Sequence, residues 1–379
     1  MSSSGTEGKA QIYASTTIGS CWPVTTSGDI FRLGILGLGK IAQTHHLPIA
    51  AESPRVELAA VCDLSADLSK EVGERFNVPI RLTELDDLIA VGLDAAMVCN
   101  RDHANVVARL LDAGVAVFVE KPLCWSRAQA EFIAVTAART RTPLMVGYMK
   151  RHDPAVIAAR AWLDGQGAQF VHVLHRAGGR HRVDRPYDLL KSGRADFHAA
   201  AEMRAVRDAI ASEIGDDDPQ RIGLYFSVLE LLSHDFDVLR QLLGSTSFVR
   251  GSLRVTDTST GSIFQFGLRA DGVPISFDCV PSFNSPRTWD EEISVYAPDS
   301  SLRIKFPSPF LREGSSTLEL WSADSSREVA SRSTFGHRSA FSRQFDAFID
   351  VVRNGLFDPS EIEFAVRDLT VVRDVVRAL

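Results

Sequence analysis

The stretch FRLGILGLGKIA, Phe31 to Ala42, places the tightest limits on what this chain can fold into. A short apolar run is followed by Gly37, Gly39 and Ala42 in the spacing G-x-G-x-x-A, and then by a helical pattern. That order describes a buried strand turning sharply into a helix, with glycine where a Cβ would keep a pyrophosphate away from the backbone and the helix N-terminus. Gly37, Gly39, Lys40 and Ile41 are therefore the first candidate cofactor-binding residues. Small residues also serve ordinary tight turns, so the motif takes its meaning from its surroundings.

From Arg32 to about Gly147 apolar strands alternate with amphipathic helices, which predicts a parallel sheet covered on both faces, a doubly wound α/β fold. Strands are expected at Leu33 to Leu36, Val56 to Cys62, near Ile80, Ala95 to Cys99, Val115 to Val119 and Leu144 to Val146. Helices are expected at Asp67 to Phe76 and His103 to Ala113, the latter closed by Gly114. Pro48 should kink or restart the helix that follows the glycine turn. The second strand ends in Val-Cys-Asp, placing Asp63 where a carboxylate accepts hydrogen bonds from the adenosine ribose. No Arg or Lys follows at once, which favours NAD over NADP; alternatively, Asp63 caps the next helix and says nothing about the cofactor.

Ligands of open parallel sheets bind beyond the carboxyl ends of the strands. Two segments lie there: CNRDH, Cys99 to His103, with Asn100 and His103, and VEKP, Val119 to Pro122, with Glu120 and Lys121. A lysine directly before a proline at the close of a buried strand is poorly explained as a solvated charge.

These residues, followed by MVGYMKR at Met145 to Arg151, resemble the glucose-fructose oxidoreductase, inositol dehydrogenase and MocA family over roughly residues 31 to 154. The resemblance implies that Lys121 is a catalytic and substrate-binding residue and that the peptide bond after it is cis. The family's usual Thr-Pro before the Asn is replaced by Val98-Cys99, which changes the loop that holds the nicotinamide ribose.

After Pro154 a helix is expected to about Trp162, and then alternating polar and apolar residues predict an antiparallel sheet with one covered face. Its strands are expected at Ala168 to His175, Ser247 to Val255, Ser262 to Leu268, Pro274 to Cys279, Glu292 to Tyr296, Leu302 to Phe306 and Leu318 to Trp321. Helices at Ser339 to Asn354 and Ser360 to Leu379 would pack back across the domains. By resemblance, the exposed face of this sheet makes a dimer contact.

The helix Leu224 to Gly244 carries Glu230, His234 and Asp237 at i, i+4 and i+7, on one face. They form either a solvated acidic face with an incidental histidine or a site. The family pattern at this place is D-x-G-x-H-x-x-D, so His234 matches its catalytic histidine. Glu230 stands where Asp is usual, and Leu232 where Gly is usual.

The run HRAGGRHRVDR, His175 to Arg185, concentrates His175, Arg176, Arg180, His181, Arg182 and Arg185 around two glycines. It reads either as a loop that holds an anionic substrate group by forked guanidinium contacts or as a surface loop paired with nearby acids. Beyond it, Tyr187 to Gly223 is polar and helical, broken by Gly215 to Pro219, as in an insertion or lid.

At 379 residues the chain is long enough for two cores. The expected division is an N-terminal arm at 1–29, a dinucleotide-binding domain at 30–150, and an α+β substrate and oligomerisation domain at 151–379 with an insertion near 187–223. The arm, rich in Ser, Thr and Gly, has no signal-peptide pattern. A 45% hydrophobic content and a net charge of −7 give no general footprint for nucleic acid or a membrane surface. Five scattered cysteines suit buried thiols in a reducing compartment, hence the cytoplasm. No metal site is expected: His45 and His46 are adjacent and point apart on their helix.

Together the residues and the resemblance predict an oxidoreductase moving a hydride between nicotinamide and a secondary alcohol or ketone of a sugar, nucleotide sugar or cyclitol. His234 is then the acid or base, Lys121 the polariser and Glu230 the orienter of the pair. Lys121, Arg151, Arg176, Asp237 and His234 are candidate substrate-binding residues, and a homodimer or homotetramer is expected. Two other readings are a nucleotide-sensing protein without chemistry, and an enzyme that recycles bound NAD during epimerisation or elimination.

Overall fold

The computed structural model describes residues 30–178, 187–191, 195–244, 249–258, 261–283, 289–323, 326–336 and 338–378. The N-terminal arm and Arg180, His181, Arg182 and Arg185 lie outside the described residues.

The first sheet is parallel and six-stranded, built from β1 (Phe31–Leu36), β2 (Val56–Cys62), β3 (Ile80–Leu82), β4 (Ala95–Val98), β5 (Ala116–Val119) and β6 (Leu144–Val146). Its order, β3-β2-β1-β4-β5-β6, is that of a doubly wound nucleotide-binding fold. Every residue of β4 and β5 is buried, as the apolar runs require of strands covered on both faces. Gly37 opens the turn after β1 at φ +85°, and a Cβ there would lie 2.4 Å from the backbone nitrogen of Asn100. Glycine is thus needed both for the backbone conformation and for the close approach of the β4 loop.

After the turn, Ala42–His46 forms a wide π-type turn before the α-helix Leu47–Glu52, with Pro48 in that helix's first turn, where its missing N–H costs little. Two segments from the second half of the chain grip this region. The carbonyl oxygen of Pro309 lies 2.7 Å from His45 Nε2, and Arg312 donates to the carbonyls of Thr44 (2.6 Å) and Gln43 (3.3 Å). The Gln43 amide exchanges hydrogen bonds with the main chain of Leu190, at 2.9 and 3.0 Å.

The second sheet holds β7 (Phe170–Gly178), β8 (Val249–Thr258), β9 (Gly261–Ala270), β10 (Val273–Phe283), β11 (Asp290–Ala297), β12 (Ser300–Phe306), β13 (Thr317–Ala323) and β14 (Glu328–Thr334), in the order β14-β13-β12-β11-β7-β10-β9-β8. It is antiparallel except for β7 with β10. Val171, Val173, Phe277, Ile293 and Ile304 are buried and belong to one core cluster. Strand β14 was not expected from the sequence: all its residues are exposed, so no apolar alternation marks it.

The long helix runs Pro219–Leu243, beginning five residues before the expected Leu224. Asp218 accepts from Gln220 N, Pro219 occupies the first turn and Gly244 closes the far end at φ 66°; the acidic break is thus its N-cap. The insertion helix Ala195–Ile214 buries Val206, Ile210 and Ile214 in the same core, so it is packed structure. The helix Ala340–Arg353 places Phe345, Phe348 and Ile349 against the first sheet's core, and Ser360–Val376 packs beside the long helix. No helix among the described residues is long and apolar enough to cross a membrane.

Candidate active site

The ends of β4 and β5 and the middle of the long helix come together. Lys121 follows β5, and its peptide bond to Pro122 is cis, as the resemblance implied. Its ammonium donates to the main-chain carbonyl of Glu230 at 2.7 Å, and the Glu230 carboxylate lies 3.8 Å away. One helical turn further on, His234 is half-buried, with its Nδ1 enclosed and unpartnered and the Tyr148 ring edge-on at 6.3 Å. Burial, and then the charges of Lys121, Lys150, His175 and Arg151, hold the His234 imidazole well below its ordinary pKa. As placed, Glu230 faces the lysine rather than the imidazole.

Glu120 is buried between two partners: His46 Nε2 lies 2.7 Å from one carboxylate oxygen, and the other accepts from Lys121 N at 3.2 Å. Burial pushes its carboxyl up, but the hydrogen bond and charge of His46, with Lys121, outweigh this and leave it below the usual range. His46 therefore ties the helix of the glycine turn to the loop that carries Lys121.

Asn100 donates through Nδ2 to the Asp102 carbonyl (3.0 Å) and to Glu202 Oε1 (2.9 Å), while its Oδ1 is buried without a partner. Both ring nitrogens of His103 face main-chain carbonyls, Pro122 O at 2.9 Å and Asn100 O at 2.5 Å. His103 thus staples the β4 loop to the β5 loop, and in this arrangement neither nitrogen is free for a cofactor.

Asp63 accepts from Leu38 N (2.8 Å) and Ser65 N (2.9 Å), and it is Ser65 that caps the following helix. The carboxylate therefore braces the glycine turn. Among the described residues, nothing beyond its own chain neighbours lies within 4 Å of a Cβ built on Gly39, so the space beside it is open. Lys40 holds its ammonium 4.0 Å over the Phe310 ring, and Ile41 is the N-terminal flank of the π-type turn. Open space at Gly39, backbone N–H groups at a helix start and the orphaned Asn100 Oδ1 fit a dinucleotide.

The remaining candidates are engaged elsewhere. Arg151 forms a forked pair with Asp237, at 2.6 and 3.1 Å, and a second pair with Glu361. Arg176 is a strand residue, 3.0 Å from Asp290 directly opposite on β11. His175 is likewise buried on β7 rather than in a loop.

Sequence reasoning missed a buried cluster beside His234. Lys150 contacts Asp235 (3.2 Å) and Glu291, and His175 Nδ1 lies 3.0 Å from Asp235 and 3.3 Å from Glu291. His175, Asp235 and Glu291 offer ligand atoms within 4.8 Å of one another, as a metal site would, but the Lys150 ammonium stands among them as the cation. Burial first, and then Lys150 and Lys121 against the pull of Asp235, keep His175 below its ordinary value.

Residues 31–148 match the family described as the oxidoreductase family with an NAD-binding Rossmann fold. These residues belong to the Gfo/Idh/MocA family. Among curated relatives, the inositol 2-dehydrogenase of Rhizobium meliloti is 27% identical over 35% of this chain and 40% of its own length. The dTDP-3,4-didehydro-2,6-dideoxy-alpha-D-glucose 3-reductase of Actinomadura kijaniata is 34% identical over 32% of this chain and 38% of its own length. The chain thus spans about 40% of the length of these relatives or less. A solved structure of a 3-ketoreductase from Actinomadura kijaniata, in complex with NADP and TDP-benzene, superposes with a TM-score of 0.69 at 18% identity over 92% of this chain and 98% of that one. The two-sheet fold is therefore shared with that structure.

Proposed function

We propose that the protein is an NAD(P)-dependent oxidoreductase acting on a secondary alcohol or ketone of a sugar, nucleotide sugar or cyclitol. The observation that carries this reading is the bond from Lys121 to the Glu230 carbonyl, which sets an ammonium one helical turn from a neutral, unpartnered imidazole at 234. A bound nicotinamide would donate or accept the hydride.

For oxidation, the hydroxyl proton must leave as the carbon gives up its hydride. His234, held neutral, accepts that proton, and the Lys121 ammonium stabilises the developing negative charge on the oxygen. Reduction runs the same path backwards, with a protonated His234 as donor. Glu230 balances the lysine charge, His103 fixes the β4 and β5 loops relative to each other, and Glu120 with His46 ties the Lys121 loop to the helix of the glycine turn. Asp63 favours NAD, because a carboxylate beside the glycine turn repels a 2'-phosphate. The exposed side of the second sheet, with Phe170 and Tyr296, suits a second copy of the chain.

The test is a panel of inositols, uronates and keto sugars with each dinucleotide, read by formation or loss of reduced nicotinamide. Stoichiometric cofactor turnover with one substrate class supports the proposal, and failure to bind either dinucleotide rejects it. Substrate conversion with retained dinucleotide and no net redox change points instead to a recycled cofactor.

A further inference from the structure

The insertion helix Ala195–Ile214 reaches the cofactor end of the first sheet through one side chain. Glu202 Oε1 accepts from Asn100 Nδ2 at 2.9 Å, and the Asp102 carbonyl takes the other hydrogen of that amide at 3.0 Å. With two acceptors on one side of the amide, its orientation is fixed. Asn100 Oδ1 then faces away from Glu202, buried and with no hydrogen-bond partner. Such an acceptor is costly to bury unless a ligand supplies a donor.

We propose that Glu202 is a positioning residue of the dinucleotide site: it holds Asn100 so that an acceptor, and not a donor, meets a hydroxyl at the nicotinamide-ribose end of the cofactor. This rests on the reading of the protein as a dinucleotide enzyme and adds to it a residue from outside the matched domain. Asn100 stands at the close of β4, where a ligand of a parallel sheet is met, and a ribose hydroxyl is a donor as well as an acceptor. Without Glu202 only the Asp102 carbonyl holds the amide, and a rotamer that presents its NH₂ group competes with the native one.

The chain's own chemistry supplies the control. Glutamine at 202 keeps a side-chain oxygen at the same reach, so Glu202→Gln retains the bond to Asn100 Nδ2, whereas Glu202→Ala removes it. ADP lacks the nicotinamide riboside, so its binding reports the remainder of the site.

The experiment titrates NADH and ADP into the full-length protein and both variants, with thermal melting as a check on folding. Expected are NADH binding about tenfold weaker in Glu202→Ala, near-native binding in Glu202→Gln, and unchanged ADP binding in both. Native NADH affinity in Glu202→Ala, equal losses for NADH and ADP, or a glutamine variant no better than alanine would each overturn the assignment. Failure of the unaltered protein to bind NADH or NADPH would instead overturn the functional reading on which it rests.

Discussion

Lys121 and Glu230 are 109 residues apart in sequence, yet the ammonium of the first donates to the main-chain carbonyl of the second at 2.7 Å. The contact uses the backbone, so the lysine is located by the helix itself, whichever acid stands at 230. A glutamate is thereby accommodated at the position where the pattern implied by the family resemblance has an aspartate: the longer side chain need not reach the lysine for the lysine to be placed.

Replacing Lys121 by Met, or His234 by Ala, should each lower turnover by about 10²–10⁴-fold, the range associated with losing a positioned acid or base. Dinucleotide affinity should change little, because the glycine turn and Asp63 lie apart from these side chains. Steady-state kinetics and a fluorescence titration of NADH separate the two effects; native turnover in both variants rejects the roles given to them.

The pH profile follows from the neutral imidazole. His234 sits well below its ordinary value through burial and then the charges of Lys121, Lys150, His175 and Arg151. Alcohol oxidation should therefore hold its kcat/KM as the medium is acidified to about pH 6, since an unshifted histidine titrates near 6.5. Ketone reduction, which needs the protonated form, should slow as the pH rises. An acid limb centred near 6.5 for oxidation would argue against His234 as the base.

Folding stability should show its own pH dependence. His45 is pushed down to about 4 by burial and then the charge of His46, and His152 to about 4 by burial and then Arg151. Their folded values lie below the unfolded ones, so the unfolded chain takes up protons first and stability falls as the pH drops from about 6.5 towards 4. Above that window the contribution of these groups is constant. Urea midpoints across the range check this, and His152→Gln should flatten the slope.

Cofactor choice is tested at Asp63. Asp63→Asn keeps one oxygen for the Leu38 N–H and removes the charge, so it should raise the NADP-to-NAD ratio of kcat/KM by about tenfold, roughly the repulsion of one charge pair near a surface. An unchanged ratio means that the 2'-position is read elsewhere.

Much of the nucleotide-binding half was legible because its strands are uninterrupted apolar runs and its turns carry glycine. The helical spacing of Glu230, His234 and Asp237 also placed all three on one face of the long helix. What escaped was long-range: Lys150, His175, Asp235 and Glu291 come from four separate elements, and no spacing along the chain announces their meeting. Arg151 looked available as a strand-end cation, but Asp237 and Glu361 pair with it. Strand β14 escaped for the opposite reason, since an edge strand exposed throughout has no buried side to record in its residues.

The grip of Pro309, Arg312 and Leu190 on the stretch from Gln43 to His45 has a thermodynamic consequence. Carbonyls next to the glycine turn owe their partners to the distant half of the polypeptide, so melting either half strands polar groups in the other. Nucleotide loading should accordingly lift the denaturation of the entire molecule as a single calorimetric event, not merely stiffen the lobe it touches.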